Sequence, residues 1–151
     1  MEFQSDAQKQ CYEKILPWMK ELFGQFAQPH SEKPLIAVLL GSTMAQVAVY
    51  PWGSDDTSIT TRAWVVREVD VVPELMEFLL HENDRMRFGA FGLDSDNDVF
   101  FEHTIVGGTL DKEELRASVT AVATTADRYD DQLVARFGGK RGLDIPGITM
   151  P

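Results

Sequence analysis

A chain of 151 residues, 44% hydrophobic and 25% charged, is long enough for one globular domain with its own core. Its net charge of −10 and pI of about 4.6 argue against nucleic acid and anionic membrane surfaces as partners, because both repel an acidic surface. The single cysteine, Cys11, excludes an internal disulfide and a thiolate metal cage and fits a reducing, cytoplasmic setting. The polar N-terminus lacks a signal peptide's apolar run, and no stretch of about 18 apolar residues is present to cross a bilayer.

In chain order, Ser5 followed three residues later by Gln8 reads as a capping box, and Tyr12, Ile15, Leu16, Met19, Leu22, Phe23 and Phe26 recur at helical spacing. The pattern predicts an amphipathic helix over 6–27, kinked or broken at Pro17, whose ring removes one intrahelical bond. Residues 28–34 read as a linker. The run LIAVLL at 35–40 is apolar on both alternating sets, which predicts a central strand covered on both faces. Strands over 44–52 and 57–66 follow, joined by Gly41-Ser42-Thr43 and the loop PWGSDD, so the three form an antiparallel meander.

Pro73 suits the first turn of a helix ending near Asn83. Leu75, Met76, Phe78, Leu79 and Leu80 make that helix apolar over most of its circumference. One sheet covers one side of such a helix, so a second subunit is the natural cover for the rest, with Leu75, Phe78 and Leu79 at a homodimer interface.

Next come strands over 85–93 and 99–106, separated by the turn Ser95-Asp96-Asn97-Asp98, which together read as a β-hairpin. The last helix opens at Asp111 with Glu114 three residues on. It carries Leu115, Val119, Val122, Ala126, Tyr129 and Leu133 on one face and stops at Gly138-Gly139. The order is α-β-β-β-α-β-β-α, an α+β fold with helices packed on an antiparallel sheet. Residues 1–139 form a single domain, and 140–151 form an extended tail.

The sequence carries little that resembles catalytic chemistry. Asp94, Asp96 and Asp98 have the spacing of the first calcium-loop ligands, but Val99 stands where the loop glycine belongs and Ile105 where the closing carboxylate belongs. A solvated turn is the simpler reading, and no metal or cofactor is expected. His30, His81 and His103 share no ligand spacing. His103 lies among apolar strand residues as a satisfied interior or interface histidine. Gly138-Gly139-Lys140-Arg141-Gly142 follows a helix instead of preceding one, the reverse of a phosphate cradle. Cys11 has no basic activator nearby in sequence. No catalytic residue is assigned. From Glu68 to Glu102, ten acids stand against two bases, a local charge of −8 that is either a solvated face or a steering surface for a basic partner. Strand aromatics are mostly core, but Trp52, Trp64 and Phe91 are candidates for contact with a partner.

The stretch over 79–139 resembles the YbjN family, within the wider group that shares the fold of type III secretion chaperones. The resemblance rests on LLHEN at the end of the second helix, the FGAF core at 88–91, the acidic turn and the apolar strand after it. Ala126-Asp127-Arg128-Tyr129 in the last helix and Phe137-Gly138-Gly139 at its end complete it. It implies a twisted antiparallel sheet, a homodimer, and binding of a polypeptide segment without catalysis. The rival reading from residues alone is a small-molecule-binding protein or an enzyme using a pocket between helix and sheet.

Overall fold

A computed structural model describes residues 1–143. The elements are α1 (Asp6–Phe23), β1 (Ala27–Pro29), β2 (Leu35–Leu40), β3 (Thr43–Trp52), β4 (Asp56–Arg67), α2 (Pro73–Arg85), β5 (Ala90–Leu93), β6 (Val99–Val106), α3 (Lys112–Phe137) and β7 (Lys140–Arg141). The strands form one antiparallel sheet in the order β1-β2-β3-β4-β6-β5, with β7 paired to the end of β4. This is the α+β order that the hydrophobic pattern predicts, with two short strands added.

The helix ends follow their side-chain chemistry. Ser5 Oγ accepts from Gln8 N–H at 3.1 Å, and Asp111 Oδ1 accepts from Glu114 N–H at 2.8 Å, each satisfying an amide that the first turn leaves free. Gln8 goes further than a capping residue. It is buried, accepts from the Gln4 amide, and donates through Nε2 to the Val49 carbonyl at 2.7 Å, tying α1 to β3. The chain stays helical through Pro17 without a break. Pro17 lies on the exposed side, where the Glu13 carbonyl it leaves without an amide can turn to water.

Three readings are corrected by the structure. The helix read over 6–27 ends at Phe23, and Ala27 together with the first two linker residues forms a strand, Ala27–Pro29 pairing with Ile36–Val38. Helix α2 extends to Arg85, so β5 begins only at Ala90. Strand β2 lies one place from the sheet edge instead of at its centre. Its two apolar sets are real, but helices cover only one of them.

That one-sidedness sets the architecture. Side chains that share the covered face include Ile36, Val38, Ala45, Val47, Val49, Ile59, Ala63, Val65, Phe101 and Ile105, all buried. They form two cores. Helix α1 packs Cys11, Tyr12, Ile15 and Met19 on the first half of the meander, and α2 packs Leu75 and Leu79 with Phe91, Val99 and Phe101. Helix α3 spans both, with Leu115 and Val119 in the first and Val122, Ala126, Tyr129 and Leu133 in the second.

The motif in the middle of α3 proves structural. Asp127 Oδ1 accepts from the amide of Ser42 at 2.7 Å and from its hydroxyl at 2.6 Å, and Asp130 Oδ2 lies 2.9 Å from the same hydroxyl. Gly41 precedes Ser42 with φ +60°, and a Cβ there would come within 2.7 Å of the Asp127 carboxylate, so only glycine lets α3 approach this turn. Tyr129 bonds Glu82 through its hydroxyl, fastening α3 to α2.

Candidate functional site

The face of the sheet opposite the helices is open. Among the described residues no helix lies on it, and its side chains fall in rows set by the strand register. One row runs Ala37, Gln46, Arg62, Glu102, Ala90. At its middle Arg62 donates to Glu102 Oε2 through Nε at 2.7 Å and Nη2 at 2.6 Å. Both side chains are about one-third exposed (33% and 31%), so the pair contributes little to stability but fixes the guanidinium. The fixed plane stacks on the Phe100 ring at 3.9 Å.

The next row is apolar. Leu39 pairs with Met44, Trp64 with Phe100, and Phe100 with Gly92. Gly92 makes room for that ring, since a Cβ would come within 2.4 Å of Phe100 Cζ and displace it. On the other side of the Arg62 row lie Leu35, Ala48, Thr60 and Thr104, with Thr60 and Thr104 sharing a 2.8 Å hydroxyl bond. Beyond them Tyr50 and Trp52 are 52% and 57% exposed. Two depressions share Ala48 and Tyr50 here. One, of about 410 Å³, is bounded by Phe3, Pro34 and Leu35, and the other, of about 260 Å³, lies over Arg62 and Glu102.

The residues singled out from sequence fall on both sides of the sheet. Trp52 and Trp64 are on the open face. Trp64 is half-buried, its indole N–H donating to Asp94 Oδ2 at 2.8 Å, with the Arg67 guanidinium 4.7 Å from its ring. Phe91 faces the helices, buried edge-on between Phe101 at 4.9 Å and Tyr129 at 5.1 Å. Leu75 and Leu79 are buried in the same core, and Phe78 is half-buried against Tyr129 and Phe137 of α3. The second cover of α2 is therefore α3. What α2 leaves to solvent is a stripe four residues apart, Val72, Met76 and Leu80, exposed by 37%, 42% and 70%.

The acidic turn directs the Asp94 and Asp98 carboxylates inward and leaves Asp96 exposed. Asp94 accepts from Trp64 and from the amides of Asp96 and Asp98, and Asp98 accepts from the Glu68 amide. Burial pushes the Asp94 carboxyl up, but these hydrogen bonds and nearby Arg67 more than offset it and hold it below the usual carboxylate range. Much of the −8 run is engaged in the same way. Glu68 pairs with Lys140 at 2.8 Å, Glu82 with Tyr129 and Arg85, and Glu102 with Arg62.

His103 Nδ1 lies 2.9 Å from Ser118 Oγ, the two atoms of a hydrolytic pair. Ser118 is only 1% exposed, however, so no substrate carbonyl can reach it, and the contact joins α3 to the sheet. Burial lowers the His103 pKa, with Glu114 opposing, so the neutral imidazole is the form that bonds Ser118.

One residue that sequence reading passed over closes the free edge of the sheet. Asn83, the last letter of LLHEN, accepts from the Phe91 amide at 2.7 Å and donates to the Phe91 carbonyl at 3.2 Å. Its carboxamide thus stands where a further strand would pair, one of the ways native sheets protect an exposed edge.

No curated protein matches the chain. It is similar in structure to a chain of the ExsC-ExsE complex, with a TM-score of 0.61 at 17% identity, covering 81% of this chain and 95% of that one. It is also similar to a chain of the HopA1-SchA chaperone-effector complex, with a TM-score of 0.65 at 8% identity, covering 84% and 98%. At these identities the likeness is one of fold. The model of T3SS (YopN, CesT) and YbjN peptide-binding chaperones matches residues 10–145, and the chain belongs to that family.

Proposed function

We propose that this protein is a non-enzymatic cytoplasmic chaperone that holds an extended polypeptide segment on the open face of its sheet and works as a homodimer. The observation that carries the reading is the face itself. An apolar row through Met44, Trp64 and Phe100 on one side, and Leu35, Ala48 and the exposed Tyr50 on the other, flank a fixed Arg62–Glu102 pair, which offers apolar contact and polar registry to a chain laid across them. Family membership and the likeness in fold to a chain of a chaperone–effector complex support it. The Val72, Met76 and Leu80 stripe is the surface on α2 open to a second copy, with Phe78 at its border and Leu75 and Leu79 behind it.

The test is a peptide array tiled from the host proteome, with hits measured in solution by titration calorimetry at low and high salt. Peptides bind wild type, and binding falls about tenfold in Tyr50→Ala/Trp52→Ala, the scale expected when aromatic anchors are truncated. Association slows with salt to the extent that the acids without an internal partner steer a basic segment. Light scattering gives a dimer mass that Leu80→Glu reduces to the monomer. If no peptide binds while a metabolite raises the melting temperature in a dose-dependent manner, the reading is wrong.

A further inference from the structure

The rows of the open face carry a spacing as well as a chemistry. Along β3, Met44, Gln46, Ala48 and Tyr50 turn to this face, and along β4, Trp64, Arg62 and Thr60 do so beside them. Each row lies two residues from the next, about 7 Å along a strand, and the side chains on one face of any extended segment have the same spacing. A segment lying along β3 and β4 therefore sets residues i, i+2 and i+4 on successive rows. The first row is apolar at Met44 and Trp64, the second is polar at Gln46, Arg62 and Glu102, and the third is apolar at Ala48, with the exposed Tyr50 ring beyond it. With its side chains pointing down, such a segment turns its backbone groups sideways, so what meets the polar row is a side chain.

The polar row has donors and acceptors to spare. Both contacts from Arg62 fall on one oxygen of Glu102, Oε2, which leaves Oε1 and the N–H groups of Nη1 outside them. Gln46, opposite Arg62 in register and half-buried, makes no side-chain hydrogen bond among the described residues. Ala37 and Ala90 end the row, and their small side chains leave these groups uncovered. The Arg62–Glu102 pair is neutral as a whole. A carboxylate brought to Nη1 lies beside the Glu102 carboxylate, and an ammonium brought to Oε1 lies beside the Arg62 guanidinium, so either charge meets attraction and repulsion together. An apolar side chain covers these polar groups without pairing them. A carboxamide carries an acceptor and a donor on one edge and no charge.

We propose that the open face selects a segment with an asparagine or glutamine flanked by apolar residues two places away on each side, its carboxamide seated over Arg62, Glu102 and Gln46. The depression of about 260 Å³ over Arg62 and Glu102 receives that side chain, between Trp64 on one side and Ala48 and Tyr50 on the other. The proposal rests on the polypeptide-binding reading and names the side chain that the centre of the face recognises.

The test uses the full chain and peptides selected on it from a random-sequence phage library. The selected peptides share an asparagine or glutamine with apolar residues two places away on both sides. One of them is then made with glutamine, glutamate, lysine or alanine at the centre, and each form is titrated by calorimetry. Wild type binds the glutamine form about tenfold more tightly than each of the other three, the scale of hydrogen bonds to charged groups. Glu102→Gln leaves the Arg62 charge without its partner and moves the preference to glutamate. Arg62→Gln leaves the Glu102 charge alone and moves it to lysine. If a variant fails to fold, the wild-type series decides alone. A wild type that binds any other form as tightly as the glutamine form, or a preference that neither variant moves, overturns the proposal and leaves polypeptide binding standing. Failure to select any binding peptide removes both.

Discussion

Replacing Asn83 tests whether one carboxamide closes the sheet. Asn83→Ala leaves the Phe91 amide and carbonyl without their partners at 2.7 and 3.2 Å, although Phe91 itself is only 7% exposed. A hydrogen bond is worth about 1 kcal/mol net, so two lost bonds cost about 2 kcal/mol, less whatever water recovers at the edge. For a domain of this size that lowers the melting temperature by about 4–8 °C. Asn83→Asp separates the two bonds. Its carboxylate still accepts from the amide but meets the carbonyl with like charge, so it is at least as destabilised as the alanine variant. The second readout is self-association, since an uncapped β5 exposes a pairing edge. Scanning calorimetry and light scattering on the three proteins measure both. An Asn83→Ala variant that melts with the wild type and stays equally dispersed would show that the edge is closed by something else.

Ser42 has one hydroxyl proton and two carboxylates within 2.9 Å, so the arrangement is satisfied only when one of them holds a proton. Burial pushes the Asp130 carboxyl up, while the Ser42 bonds hold Asp127 below the usual range, so Asp130 is the one of the two that takes up a proton first as pH falls. A raised folded pKa contributes stability that is complete below the unfolded carboxylate range and is lost as pH rises through the folded value. Asp130→Asn therefore raises the melting temperature by a few degrees at neutral pH and flattens its fall across the mildly acidic range; a variant less stable than wild type at neutral pH would contradict this. Gly92→Ala drives the Phe100 ring out of its place under Arg62, costing about 1–3 kcal/mol by denaturant midpoint, and weakens peptide binding if the apolar row forms part of the site.

The parts legible in the sequence are those fixed by local chemistry. The caps at Ser5 and Asp111, the limits of β2 and β6 and the spacing along α3 all follow from neighbours a few residues away. β1 was hidden because three residues ending in proline carry no alternation to read, and its pairing with Ile36–Val38 is a tertiary fact. Asn83 was hidden for a similar reason, since an asparagine at a helix end reads as a cap until its contact with Phe91 is seen. From sequence alone Phe91 is indistinguishable from the partner-facing aromatics, because strand aromatics look alike. Its register with Phe101, which is fully buried, puts it on the helix side. The breadth of α2's apolar surface was legible, but its cover came from the chain's own last helix, through Phe78 against Tyr129 and Phe137.

Helix α3 gives the two cores a mechanical relationship. At 26 residues it is about 39 Å long, and it rests on the α1 core at one end and the α2 core at the other, like a beam on two supports. No described α1 residue lies in the α2 core. Loosening α1 therefore frees one end of the beam while Val122 to Leu133 keep the other seated. A substitution in the α1 core therefore acts first on the Leu115–Val119 end of α3, and one in the α2 core on its Val122–Leu133 end.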